Sequence, residues 1–192
     1  MHKIFVSYHH ARDQRYADVF RRFYGNDNVT FLDRSLMGAL NSGDTDYIMR
    51  VIRTKGLKQS TVTIVLIGKE TRCRKYVDWE IYSSLRPGPG RTRNGLLGVL
   101  LPGADERDLP ARFADNYQVD SSSRQIGYAR LVKWDDVRPA ASWVEDLLWG
   151  LRGTDHRPTL TKEIKAAHKN REDKILSIQN DRPRMKRNTN CI

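Results

Sequence analysis

Cysteine is scarce in this chain. Cys73 and Cys191 are the only two in 192 residues, and they form no Cys-x-x-Cys pair. The absence of that spacing argues against a cysteine zinc site. Cys191 is next to last, so the sequence predicts no structural disulfide and a protein suited to a reducing cytosol. Long hydrophobic runs are also missing. No apolar stretch approaches the ~20 residues that cross a membrane, and Met1-His-Lys-Ile-Phe-Val-Ser7 enters a strand with no signal-type apolar region. The expectation is a cytoplasmic protein with no membrane partner. The glycine signatures of common nucleotide enzymes are lacking too. There is no G-x-G-x-x-G after the first strand, no G-x-x-x-x-G-K-[ST] and no G-x-S-x-G. The five histidines, at 2, 9, 10, 156 and 168, lie outside the central elements without metal-ligand spacing. No metal site and no cofactor is expected. No internal repeat is visible.

What is present describes one globular domain with a real core. Hydrophobic residues make up 39% of the chain, with four Trp and eight Tyr, and the formal net charge is +11. Such an excess suits an anionic partner. It is spread along the chain and makes no long basic run before the C-terminus, so a nucleic acid is not expected.

The organising stretch is Thr61-Val-Thr-Ile-Val-Leu-Ile-Gly68. It is short, β-branched or aliphatic throughout and closed by glycine, as a strand buried on both faces should be. A polar loop and a helix follow. Val77, Ile81 and Leu85 recur every fourth residue and form that helix's core face, while Tyr76 and Glu80 stack on a neighbouring face. Further strands are predicted at 3–8, 28–32, 96–101 and 129–134. Helices are predicted around Tyr16–Tyr24, with Tyr47, Ile48, Val51 and Ile52 facing inward after an Asp44 or Thr45 cap, and from Ser142 to Leu151 behind a Ser142/Glu145 capping box. A short helix is expected within 110–115, and residues 86–95, rich in Gly and Pro, are expected as an exposed mobile loop. The alternation of strands and helices predicts a flavodoxin-like three-layer α/β fold. Its sheet is mostly parallel, five-stranded and ordered 2-1-3-4-5. Residues 1–153 form the domain. Residues 154–192, with ten Lys or Arg against five Asp or Glu, form a basic C-terminal extension: a helix over about 161–178 packed on the domain edge, then a disordered tail.

In such a sheet, ligands bind beyond the C-terminal ends of the strands. The candidates there are Glu80 on its helix, Ser7, Tyr8, His9 and Arg12 after strand one, and Asp33, Arg34 and Ser35 after strand two. A phosphoreceiver would need an acid after strand three, where Gly68-Lys69 stands. On spacing alone, a solvated helix glutamate paired with a neighbouring Arg or Lys is the better reading of Glu80. Tyr8, His9 and Tyr76 read equally as edge packing, and Asp33 as a turn residue.

Phe5-Val-Ser-Tyr-His9 resembles the opening of a TIR (Toll/interleukin-1 receptor) domain. Arg74-Lys-Tyr-Val-Asp-Trp-Glu80 is similar to the signature in which an aromatic residue precedes the catalytic glutamate by four. Phe31-Leu-Asp-Arg-Ser-Leu36, Val62 to Gly68 and Tyr76 to Ile81 together resemble the TIR-like component of bacterial Thoeris anti-phage defence. The resemblance spans roughly residues 3–150. It departs at one point, where the usual Trp is Tyr76 and Trp79 directly precedes the glutamate. It implies cleavage of the nicotinamide–ribose bond of NAD with Glu80 as the catalytic residue. Ser7, Tyr8, His9, Asp33, Arg34, Ser35, Tyr76 and Trp79 then bind substrate, and NAD is a substrate and not a cofactor. The implied product is a cyclic or conjugated ADP-ribose signal that activates a separate effector protein, with homo-oligomerisation a feature of such enzymes. Two other readings stay open: a catalytically inactive TIR-like scaffold for partner proteins, which the Tyr76 departure favours, and a nucleoside-processing transferase on the same fold.

Overall fold

The computed structural model describes residues 2–24, 29–31, 44–88, 90–138 and 157–191. Five parallel strands form its sheet: β1 (Ile4–Ser7), β2 (Val29–Phe31), β3 (Val62–Ile67), β4 (Gly95–Leu100) and β5 (Arg130–Lys133). Their order is β2-β1-β3-β4-β5, as expected from the sequence. The central strand β3 is buried along its whole length. Period-two alternation divides its side chains between the two faces. Val62, Ile64 and Leu66 join one core with Ile4 and Val6 of β1, and Val65 and Ile67 join the other.

Helix α1 (His10–Tyr24) packs Ala17 and Phe20 on the first face. It begins at His10, six residues before the expected start at Tyr16. The second face carries α2 (Thr45–Val51), α3 (Lys75–Ser84) and α4 (Ala111–Ala114). Asp44 caps α2, accepting from the amides of Asp46 and Tyr47 at 2.9 and 3.1 Å. Ile48, Met49, Val51 and Ile52 are buried there, whereas Tyr47, expected inward, is 41% exposed. Four-residue α5 (Trp134–Val137) follows β5 directly. The proposed Ser142–Leu151 helix lies outside the described residues.

The C-terminal extension is no edge appendage. Helix α6 (Arg157–Asp173) buries Leu160, Ile164 and Ala167 in the same core as α1. A Cβ on Gly95 would lie 2.1 Å from the Ala167 carbonyl oxygen, so β4 and the α6 backbone meet where only glycine fits. Arg130 pairs with Glu163 at 2.6 Å and joins β5 to α6.

The tail after α6 also differs from expectation. Residues 178–191 run as an irregular strap over the outer side of α3. The guanidinium of Arg112, with no exposed side-chain surface, pairs with Asp78 at 2.9 Å and donates to the carbonyls of Asn180, Arg182 and Pro183. Met185 donates its amide to Asp78, and its carbonyl accepts from the Trp79 indole at 2.8 Å. Cys191 is disulfide-bonded to Cys73. The sequence expectation of unpaired cysteines is therefore wrong, and the argument for a reducing compartment that rested on it falls. Position along the chain says nothing about proximity when a strap brings residues 118 apart in sequence together. The 86–95 loop is likewise anchored. Arg91 donates to the carbonyls of Ser83 and Arg86, and Asn94 is buried, donating to Ser60 and Thr63.

Candidate active site

At the C-terminal edge of the sheet, β1 and β3 each end in a loop that leads to a helix. Strand alternation decides which side chain reaches which face. Ser7 shares the α3 side with Phe5, while Tyr8 turns to the other side and packs in the α1 core. Tyr8 is 5% exposed, and its hydroxyl donates to Gln14 at 3.1 Å. It is a packing residue and does not line a cleft with Glu80.

Glu80 sits in the second turn of α3, on the side toward the sheet, and is 5% exposed. It makes no ion pair among the described residues, so the solvated, salt-bridged glutamate that spacing alone allowed is not what the fold contains. Burial pushes its carboxyl up to about 8. The Ser7 hydroxyl approaches closely enough to act in the opposite sense, yet the contact lacks hydrogen-bond geometry, and Ser7 Oγ has no hydrogen-bond partner among the described residues. A buried carboxyl and an unpartnered buried hydroxyl thus face one another at the strand end.

The two aromatics of α3 take different places. Trp79 is 3% exposed and packs with Phe5, Ile48, Met49, Ile52 and Leu57, its indole held by the strap. The TIR resemblance implied a substrate contact for Trp79; the structure puts it in the core, because its position on the helix faces α2. Tyr76 is half-buried one turn before Glu80. Its ring meets Trp79 edge-on at 5.5 Å, and the Lys75 ammonium lies 4.9 Å from its centroid. Asp33, Arg34 and Ser35 lie outside the described residues.

Three features escaped the sequence reading. Asp13, in the first turn of α1, is buried and accepts from the Thr71 hydroxyl at 3.2 Å, while Thr71 Oγ1 accepts from the Gly68 amide at 2.9 Å. Burial raises the Asp13 carboxyl above its ordinary range. A Cβ on Gly68 would come within 2.5 Å of Asp13 Oδ1, so this close approach needs glycine. The second is Glu70, which joins Arg12 and Arg74, with His9 beside them. The third is the strap at the start of α3. Arg74, the N-cap residue, gives no side-chain cap; Asn188 instead accepts from the Lys75 amide at 3.0 Å. No local sequence signal marks a cap supplied from more than a hundred residues away.

A family model for the Thoeris protein ThsB, TIR-like domain, matches residues 5–106, more than half of the chain. The chain belongs to that family. No curated protein matches it. The matched span runs from the second residue of β1 to just beyond β4 and includes Ser7, His9, Tyr76 and Glu80. Membership in the ThsB TIR-like family supports a TIR-type role in anti-phage defence. No helix among the described residues is long and apolar enough to cross a membrane.

Proposed function

We propose that this ThsB-type TIR-like chain cleaves the nicotinamide–ribose bond of NAD and releases a cyclic or conjugated ADP-ribose signal. The observation that carries the reading is the buried Glu80 carboxyl with no cationic partner among the described residues. A carboxylate in such a place is costly to ionise unless a positive charge arrives. The pyridinium of NAD is such a charge, and the oxocarbenium-like ribose formed during cleavage is another.

In this reading the C1′–N bond breaks and its electron pair goes to the ring nitrogen. Nicotinamide leaves neutral and needs no general acid. The Glu80 carboxylate stabilises the positive ribose carbon. Ser7, whose hydroxyl has no partner among the described residues, offers a hydrogen bond to the substrate beside it. Attack on C1′ by a nucleophile of the same molecule closes a ring, and attack by another acceptor gives a conjugate. The signal would act on a separate effector protein, with NAD as substrate and no bound cofactor. A cytoplasmic location and a homo-oligomeric active form belong to the same proposal.

The test is incubation of the purified protein with NAD and separation of the products, with and without extract from phage-infected cells. Nicotinamide release is the expected result. Intact NAD under both conditions points to a TIR-like scaffold. Base release from nucleosides without NAD cleavage points to a transferase.

A further inference from the structure

Two arginines converge on one carboxylate at the sheet edge. Arg12 Nε lies 3.2 Å from Glu70 Oε1, and Arg74 Nη2 donates to Glu70 Oε2. The three come from different places in the chain: the first turn of α1, the loop after β3, and the N-cap of α3. His9 lies in the same group. Its imidazole is held below its ordinary range, first by burial and then by Arg74, with Glu70 acting in the opposite sense. Two buried nitrogens in this cluster, Arg74 Nε and His9 Nδ1, have no hydrogen-bond partner among the described residues. One negative charge therefore serves two guanidiniums, and hydrogen-bonding capacity is left over.

We propose that this cluster is a seat for the phosphate of a nucleotide, with the Glu70 carboxylate holding the place that the phosphate takes. A carboxylate and a phosphate engage guanidinium groups through the same in-plane contacts, so one can replace the other. A diphosphate brings more charge and more acceptor oxygens than Glu70, enough for both arginines and the unfilled Arg74 Nε. Glu70 can leave. Its side chain is 29% exposed, and it sits in a loop, so it can rotate into solvent without disturbing a helix or strand. Neither arginine is locked elsewhere. Arg12 is 68% exposed, and the only ion pair of Arg74 among the described residues is with Glu70. The location fits the same ligand. Glu80 stands six positions after Arg74, about 9 Å of helix rise, a span that one ribose and an arginine side chain bridge. This siting rests on the NAD reading of Glu80; the phosphate seat itself does not.

Calorimetric titration of the full chain with ADP, inorganic pyrophosphate, sulfate and adenosine tests it without any turnover. ADP and pyrophosphate should bind, and adenosine about tenfold or more weakly than ADP. Glu70→Gln, which empties the seat of its own charge, should tighten ADP several-fold. Arg74→Gln should weaken it about tenfold, the scale of one lost charge-assisted hydrogen bond. Unchanged or weaker ADP binding by a folded Glu70→Gln protein would overturn the proposal and make Glu70 a plain structural ion-pair partner. Should that variant not fold, Arg12→Gln serves, because its side chain is largely exposed; ADP affinity equal to wild type then sinks the idea. Sulfate binding as tight as pyrophosphate would mean a non-selective anion patch and also overturn it. The outcome is separable from the proposed reaction. The expected binding pattern without nicotinamide release leaves the seat standing and removes the NAD reading, while nicotinamide release with ADP affinity indifferent to Arg12, Glu70 and Arg74 removes only the seat.

Discussion

Glu80 is buried and carries no counter-charge among the described residues, and this has consequences for both stability and activity. Its folded carboxyl titrates near 8 against 4.5 for a free one. Below about pH 4.5 both folded and unfolded chains hold the proton, so burial costs nothing through ionisation. Between there and about pH 8 the unfolded chain loses its proton first, and stability falls as pH rises. Above 8 both forms are ionised and the loss stops growing. Glu80→Gln removes the ionisation, so the variant should be more stable than wild type by an amount that opens from about pH 5, reaches the order of a few kcal/mol and levels off near 8. Melting curves across this range check it; identical pH dependence in the two proteins would contradict the buried, unpaired carboxyl. Nicotinamide release should move the other way. The variant should lose about two orders of magnitude or more, and wild-type kcat/KM should climb with pH toward a plateau near 8, because the ionised form is needed in the free enzyme. A stabilised and inactive variant is hard to explain with a purely structural glutamate.

Helix α3 is held from both sides, and the outer side depends on the strap. Arg112 and Asp78 form a buried ion pair to which the strap's carbonyls and the Met185 amide are added. Arg112→Ala should destabilise the protein by about 3–5 kcal/mol, because Asp78 is left buried and unpaired. Adding Asp78→Asn should recover part of that loss, which chemical denaturation of the single and double variants can measure. If the single change costs under about 1 kcal/mol, the strap does not sit on α3 as described. The disulfide is the strap's covalent end. Cys191→Ser should lower stability by about 2–4 kcal/mol against the oxidised protein and by almost nothing against the reduced one. Melting temperatures with and without reductant compare the three states directly. A reductant-insensitive wild type would show that the two cysteines are not paired in solution.

At the scale of the whole molecule, the chain does not divide at residue 153. The same sheet face is covered by α1 and α6, and the Gly95–Ala167 contact lets backbone meet backbone. Truncation after 153 would bare the sheet surface that Leu160, Ile164 and Ala167 cover, each such side chain contributing about 1.5–3 kcal/mol on burial apart from alanine. Against a typical total stability of about 5–15 kcal/mol, the truncated chain should be insoluble or lack a cooperative melting transition in circular dichroism. A truncated protein that melts like the full chain would restore the reading of residues 154–192 as an appendage.

Sequence alone determined the features that rest on local periodicity. The unbroken apolar run of β3, the alternation of strands with helical stripes, and the order of the five strands were legible because side-chain period and crossover handedness are short-range rules. The place of Glu80 on α3, beyond the end of a central strand, followed from the same rules. Its environment did not. Whether a helix glutamate is solvated or buried depends on which neighbours close over it, and spacing cannot show that. Strand parity alone separated Ser7 from Tyr8, once the register of β1 against β3 was set. Trp79 fell to the core through packing on Phe5 and α2, and Glu70 and Arg74, four apart in sequence, were joined there by Arg12 from distant α1. The strap went furthest beyond sequence reading. A polar, basic segment has no pattern of its own, and it is ordered here because Arg112, Asp78, Trp79 and Cys73 present partners that only the assembled sheet and α3 can bring into one place.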